Sequence, residues 1–156
     1  MNDLRPDRAP DWADTVSGPM RDPSLSAKAT FLRALENPPL WLGAAMAVRN
    51  IAVAPFGLQR ELPGAGHFLE RMPVVIDTPE HYETGLEDKH LTFTIATRIV
   101  QPVVHVTTAI WFNSLLGRVY LTAVMPGHIL ATRQIAGRVA GPLTRSMGEP
   151  DIPARP

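Results

Sequence analysis

Glu87-Asp88-Lys89-His90-Leu91-Thr92-Phe93-Thr94-Ile95 opens the stretch on which the reading of the chain turns. It leads through Val104, Val106, Thr108 and Ile110 into Trp111-Phe112-Asn113-Ser114-Leu115-Leu116-Gly117-Arg118-Val119-Tyr120-Leu121, and then into Met125-Pro126-Gly127-His128. Side chains alternate across a strand. Leu91, Phe93 and Ile95 therefore share one face, and His90, Thr92, Thr94 and Ala96 the other. In the partner strand Val104, Val106, Thr108, Ile110 and Phe112 lie together, opposite Val103, His105, Thr107, Ala109 and Trp111. Val100-Gln101-Pro102 reads as the turn between them. Asn113 to Gly117 reads as a second hairpin, followed by a third strand in which Val119, Leu121 and Ala123 alternate with Arg118, Tyr120, Thr122 and Val124. Pro126 then opens a last helix with Ile129, Thr132, Ile135, Ala136 and Val139 on its buried stripe, Arg133 and Arg138 outside, and Gly141-Pro142 at its end.

Upstream, Trp12, Asp14 and Val16 alternate within Asp11 to Val16 and suggest a first strand. Ser24 is placed to cap a helix carrying Leu25, Ala29, Leu32 and Leu35, which Asn37-Pro38-Pro39 stops. A second helix, apolar nearly all round, carries Leu40 to Ala52. Its extension to Leu58 is the one stretch long enough to suggest a membrane span, but Arg49 and Asn50 at its centre argue for a covered helix. After the loop at 59–66, His67 to Met72 and Val74 to Asp77 read as a strand broken by Pro73, and Tyr82 to Glu87 as a short strand. The expected domain is 11–144, with flexible tails at 1–10 and 145–156. No repeat interrupts it, and the N-terminus lacks the apolar core of a signal peptide.

Composition excludes several function classes. Lys and Arg number 15 against 15 Asp and Glu, so no basic excess exists to displace counterions from nucleic acid. The absence of cysteine removes disulfides and thiolate chemistry and fits a cytoplasmic setting. The histidines 67, 81, 90, 105 and 128 show no metal-binding spacing, and no P-loop, Gly-x-Ser-x-Gly or dinucleotide fingerprint occurs, so neither metal nor cofactor is expected. Chains of this size bury roughly 69% of their open-chain surface, enough for a core without staples.

Strand, two helices, a strand series and a final helix make an α+β order of the helix-grip kind, with a curved antiparallel sheet around a C-terminal helix. Asp88-Lys89-His90-Leu91-Thr92-Phe93, Asn113-x-Leu115-Leu116-Gly117-Arg118-x-Tyr120-Leu121 and Pro126-x-His128, with Pro39-x-Trp41 and Arg49-Asn50 upstream, resemble a bacterial family. That family is the domain of unknown function numbered two-eight-six-seven. Thr92 and Thr94 depart from its pattern, which places charged residues after the His-Leu pair. The resemblance extends to the Bet v 1/START-like (SRPBCC-like) superfamily and implies a cavity for a small hydrophobic or amphipathic ligand.

Candidate residues follow from that expectation. His90, beside Asp88 and Glu87, is the candidate acid–base group of a cyclase, hydratase or isomerase, against a plain salt-bridged strand start. Arg49 is placed to clamp an anionic group or to pair with Asp88 or Glu87. Phe93, Trp111, Tyr120 and His128 are candidate cavity walls, with Tyr120 and Trp111 equally suited to a core and His128 to a structural hydrogen bond at a helix start. Trp111 and Ile110 on an exposed strand would instead mark a homodimer.

Overall fold

The computed structural model describes residues 4, 6–36, 40, 41, 43, 44, 47, 71–87 and 89–147. In chain order these form β1 (Trp12–Pro19), α1 (Ala27–Leu35), β2 (Val74–Asp77), β3 (His81–Glu87), β4 (Leu91–Val100), β5 (Val103–Phe112), α2 (Leu115–Ala136) and β6 (Thr144–Met147). The strands make one antiparallel sheet in the order β2-β3-β4-β5-β1-β6. α1 packs on β3 and β4, and α2 on β1 and β5. The chain is α+β, with a six-stranded antiparallel sheet and both helices on one face.

The alternation in β4 and β5 sets the register as expected. Phe93 pairs with Ile110, Ile95 with Thr108 and Ile99 with Val104, so the two apolar sets share the helix-bearing face. β1 continues that face, with Asp14 opposite Thr108 and Val16 opposite Val106. It runs three residues beyond Val16, because Ser17, Gly18 and Pro19 still find partners on β5. Under α1, Ala27, Phe31 and Leu35 meet Tyr82 and Ile99, with Met20, Ile95 and Ile135 against them. The Phe31 and Tyr82 rings are tilted at 5.2 Å. The cap of α1 is Ser26, not Ser24, its hydroxyl accepting from the Ala29 amide at 3.3 Å.

The expected second hairpin and third strand are overturned. Residues 115–136 are one helix, which Pro126 does not open but interrupts. Ser114, in extended conformation (φ −154°, ψ 162°), caps it by accepting from the Gly117 amide at 3.2 Å. Proline removes one i→i−4 bond, but Pro126 and Thr122 both lie on the exposed side of the helix, away from the core. The buried residues on the other side include Gly117, Leu121 and Ala136. Tyr120 is consequently a helix residue, and His128 lies in mid-helix rather than at a start. The helix ends at Ala136, so buried Val139 lies beyond it.

At the other end, Thr144–Met147 is not tail but the sixth strand, paired with β1 from Asp14 to Ser17. Of the expected second helix, Leu40, Trp41, Gly43, Ala44 and Ala47 are helical, and the Trp41 indole donates to Gln134 of α2 at 3.0 Å. The rest of that helix, with Arg49, Asn50 and His67, lies outside the described residues. Among the described residues no helix is long and apolar enough to cross a membrane.

The glycines of α2 separate packing from propensity. A Cβ at Gly117 would collide with the His90 carbonyl, whereas one at Gly127 would meet nothing within 4 Å. Gly117→Ala is expected to destabilise by about 1–3 kcal/mol through overpacking. Gly127→Ala is expected to stabilise by about 0.5–1 kcal/mol through helix propensity. Chemical denaturation of both variants checks the pair; equal effects would contradict the close approach of α2 to β4.

Candidate functional site

Central strands of a two-layer domain ordinarily bury their helix-facing side chains. Here the cover is incomplete. Phe93 and Ile95 of β4 and Val106 of β5 face the helices yet remain half-buried, as do Tyr120, Val124 and His128 along α2. α1 covers one side of this surface and α2 the other. Among the described residues, the helix-bearing face between them carries these half-buried side chains.

The β1–β6 side of that face is polar. Across the sheet, Asp14, Thr108, Ile95 and Thr84 pair in one row of β1, β5, β4 and β3. Arg145 of β6 pairs with Val16, one row along on the same face. The Arg145 Nε donates to Asp14 Oδ1 at 2.6 Å, and the Asp14 side chain is only 2% exposed. His128 of α2 packs edge-on to Trp12, on the same face of β1 as Asp14, with ring centroids 5.5 Å apart. Burial pushes the His128 pKa below its ordinary value of 6.5; Asp14 opposes that shift and Arg145 adds to it. Three buried atoms of the group have no protein partner: Asp14 Oδ2, Arg145 Nη2 and His128 Nε2.

The residues expected from the sequence fall into two places. Phe93 and His128 lie on the helix-bearing side of the sheet, and Tyr120 is half-buried on α2. Trp111 does not join them. It faces the opposite side, is 2% exposed, and donates its indole N–H to the Arg8 carbonyl at 2.8 Å. His105 and Thr107 share that outer face, bonded to Ser17 and Thr15 of β1 at 2.8 and 2.9 Å.

His90 sits where β4, β5 and α2 meet. Its Nδ1 is 3.0 Å from the Ser114 hydroxyl, its carbonyl accepts from the Asn113 amide at 3.0 Å, and its Nε2 is buried without a protein partner. Arg49 and Asp88 lie outside the described residues. Sequence reasoning missed Asp14 and Arg145, although an acidic residue in an alternating apolar strand was a signal. Among the described residues no cluster of three or more His, Asp or Glu is arranged to hold a metal.

Residues 8–135 match the family described as "Protein of unknown function (DUF2867)", and the chain belongs to that family. No curated protein and no solved structure matches it.

The buried imidazole carries a pH signature. Unfolded, His128 takes a proton near 6.5; folded, it does so only at lower pH. Between those values the unfolded chain binds more protons, so stability rises with pH over that interval and is lost as pH falls through it. The melting temperature is expected to drop between about pH 7 and about pH 5, and His128→Gln to flatten that slope. A slope unchanged in His128→Gln would show that the ring is solvated.

Proposed function

We propose that the chain is a ligand-binding domain of the helix-grip, Bet v 1-like kind, holding a small amphipathic molecule between the sheet and α2. The observation that carries this reading is the half-buried state of Phe93 and Val106 on the helix-bearing face, beside Ile95, which leans on the α1 core yet is itself half-buried. Leaving such side chains partly exposed sacrifices part of the burial free energy of a core, about 1.5–3 kcal/mol for a fully buried large apolar side chain. A bound apolar molecule recovers it. Concave, mostly apolar surfaces with a few convergent polar groups are the usual form of small-molecule sites, and Asp14, Arg145 and His128 are such groups.

His90 is better read as a positioning residue than as an acid–base catalyst. Its ring and its carbonyl both contribute to the junction that starts α2. The strand series followed by a long helix, with α1 and α2 on one face, supports the helix-grip reading, although β6 follows that helix.

The uncharged fluorophore N-phenyl-1-naphthylamine tests the proposed cleft. It is expected to bind with enhanced emission, and Ile95→Trp, which fills the centre of the face, to weaken binding roughly tenfold, about 1.4 kcal/mol. The circular dichroism of that variant should match the wild type. Absence of binding to the wild type, or equal binding to the filled variant, would sink the proposal.

A further inference from the structure

Asp14 and Arg145 are joined by one bond where two are available. A guanidinium and a carboxylate commonly pair through two parallel hydrogen bonds. Here Nε meets Oδ1, while Oδ2 and Nη2 remain buried and unpaired by any protein group. Buried polar atoms without partners are costly, and in native structures each calls for an explanation. These two belong to the same ion pair, so a single group that donates to one and accepts from the other satisfies both. His128 Nε2, on the helix packed over Trp12 of the same strand, is likewise buried without a protein partner.

We propose that the ligand carries an uncharged hydroxyl that the Asp14–Arg145 pair grips at the β1–β6 edge of the cleft. This rests on the cleft being a ligand site. A hydroxyl has one O–H to give and lone pairs to accept with. Its proton goes to Asp14 Oδ2, and its oxygen accepts from Arg145 Nη2. The anchor as a whole is neutral, because the two charges cancel and burial favours the neutral form of His128. A carboxylate or phosphate would set a second negative charge against Asp14, and an ammonium a second positive charge against Arg145. Either repulsion is strong in a desolvated site. The anchor thus selects against charged head groups while holding a neutral polar one. From it, Thr108 leads across the sheet to the half-buried Ile95, and Phe93 lies in the adjoining row, so the apolar body of the ligand follows.

Displacement of bound N-phenyl-1-naphthylamine by 1-dodecanol, dodecyl methyl ether and dodecanoate, at a pH where the acid is ionised, separates the readings. The alcohol is expected to compete about tenfold better than the ether, which cannot donate, and better still than the carboxylate. Asp14→Leu combined with Arg145→Met removes both charges together, a replacement that buried ion pairs often tolerate. Whatever its own affinity for the fluorophore, it is expected to bring alcohol and ether within about twofold of each other. Equal competition by alcohol and ether in the wild type would mean that water satisfies the pair, and would overturn the hydroxyl inference alone. Preference for the carboxylate, or no displacement by any of the three, would overturn it as well. A fluorophore that never binds would remove the ligand site beneath it.

Discussion

The buried carboxylate of Asp14 is the constraint that the edge of the sheet is built around. β1 is first in the chain but interior in space, with β5 on one side and β6 on the other. Without β6 it would be an edge strand whose carboxylate could reach water. With β6 in place, a charge enters the protein interior, and such a charge is tolerated only when paired. The pairing comes from the strand that creates the need. β6 brings Arg145 onto the face of Val16, one row from Asp14. The short strand Thr-Arg-Ser-Met supplies little apolar surface to hold itself in register. Charge pairing therefore fixes a position that hydrophobic burial would leave loose.

This explains which parts of the fold were legible in the sequence. β3, β4, β5 and α1 announce themselves because their buried sets obey a single period, two along the strands and 3.6 along the helix. α2 does not. Leu115, Val119 and Leu130 are apolar yet exposed, so its hydrophobic residues surround the helix instead of marking one stripe. Val119, Leu121 and Ala123 then mimic strand alternation, and Pro126 mimics a helix start. The feature that decided the matter was local and weaker in the sequence: Ser114, extended at the N-cap, with Gly117 small enough to press against the His90 carbonyl. β6 was illegible for a different reason. Its partner lies some 130 positions away, and nothing within Thr144–Met147 encodes that distance.

The same logic separates Trp111 from Phe93. Both are large apolar residues on neighbouring strands, and composition alone makes each a cavity wall. Strand parity sends them to opposite faces, since Phe93 is opposite Ile110 and Thr92 opposite Trp111. On the outer face Trp111 is sealed by the backbone of Arg8, and Asn113 donates to the Thr92 hydroxyl at 3.0 Å. That face is finished with protein hydrogen bonds. The helix-bearing face is not: Asp14 Oδ2, Arg145 Nη2 and His128 Nε2 are buried without a protein partner towards the β1–β6 side, and Thr84 Oγ1 towards β3.

An ion pair is a poor choice if stability were the only demand on this position. Replacing a buried pair by well-packed apolar residues is often neutral or stabilising, by about 1–4 kcal/mol. A pair bonded through only one of its two possible contacts is weaker still as a fastening. Sites where local rules are broken without a structural gain are where function is expected. The one bond made, Nε to Oδ1, is enough to hold the two charges in a fixed relation and to register β6. The bond not made leaves a donor and an acceptor side by side, with the His128 ring beside them. On the ligand-binding reading proposed above, such an edge asks no charge of a guest and orients it by the direction of hydrogen bonds more than by attraction.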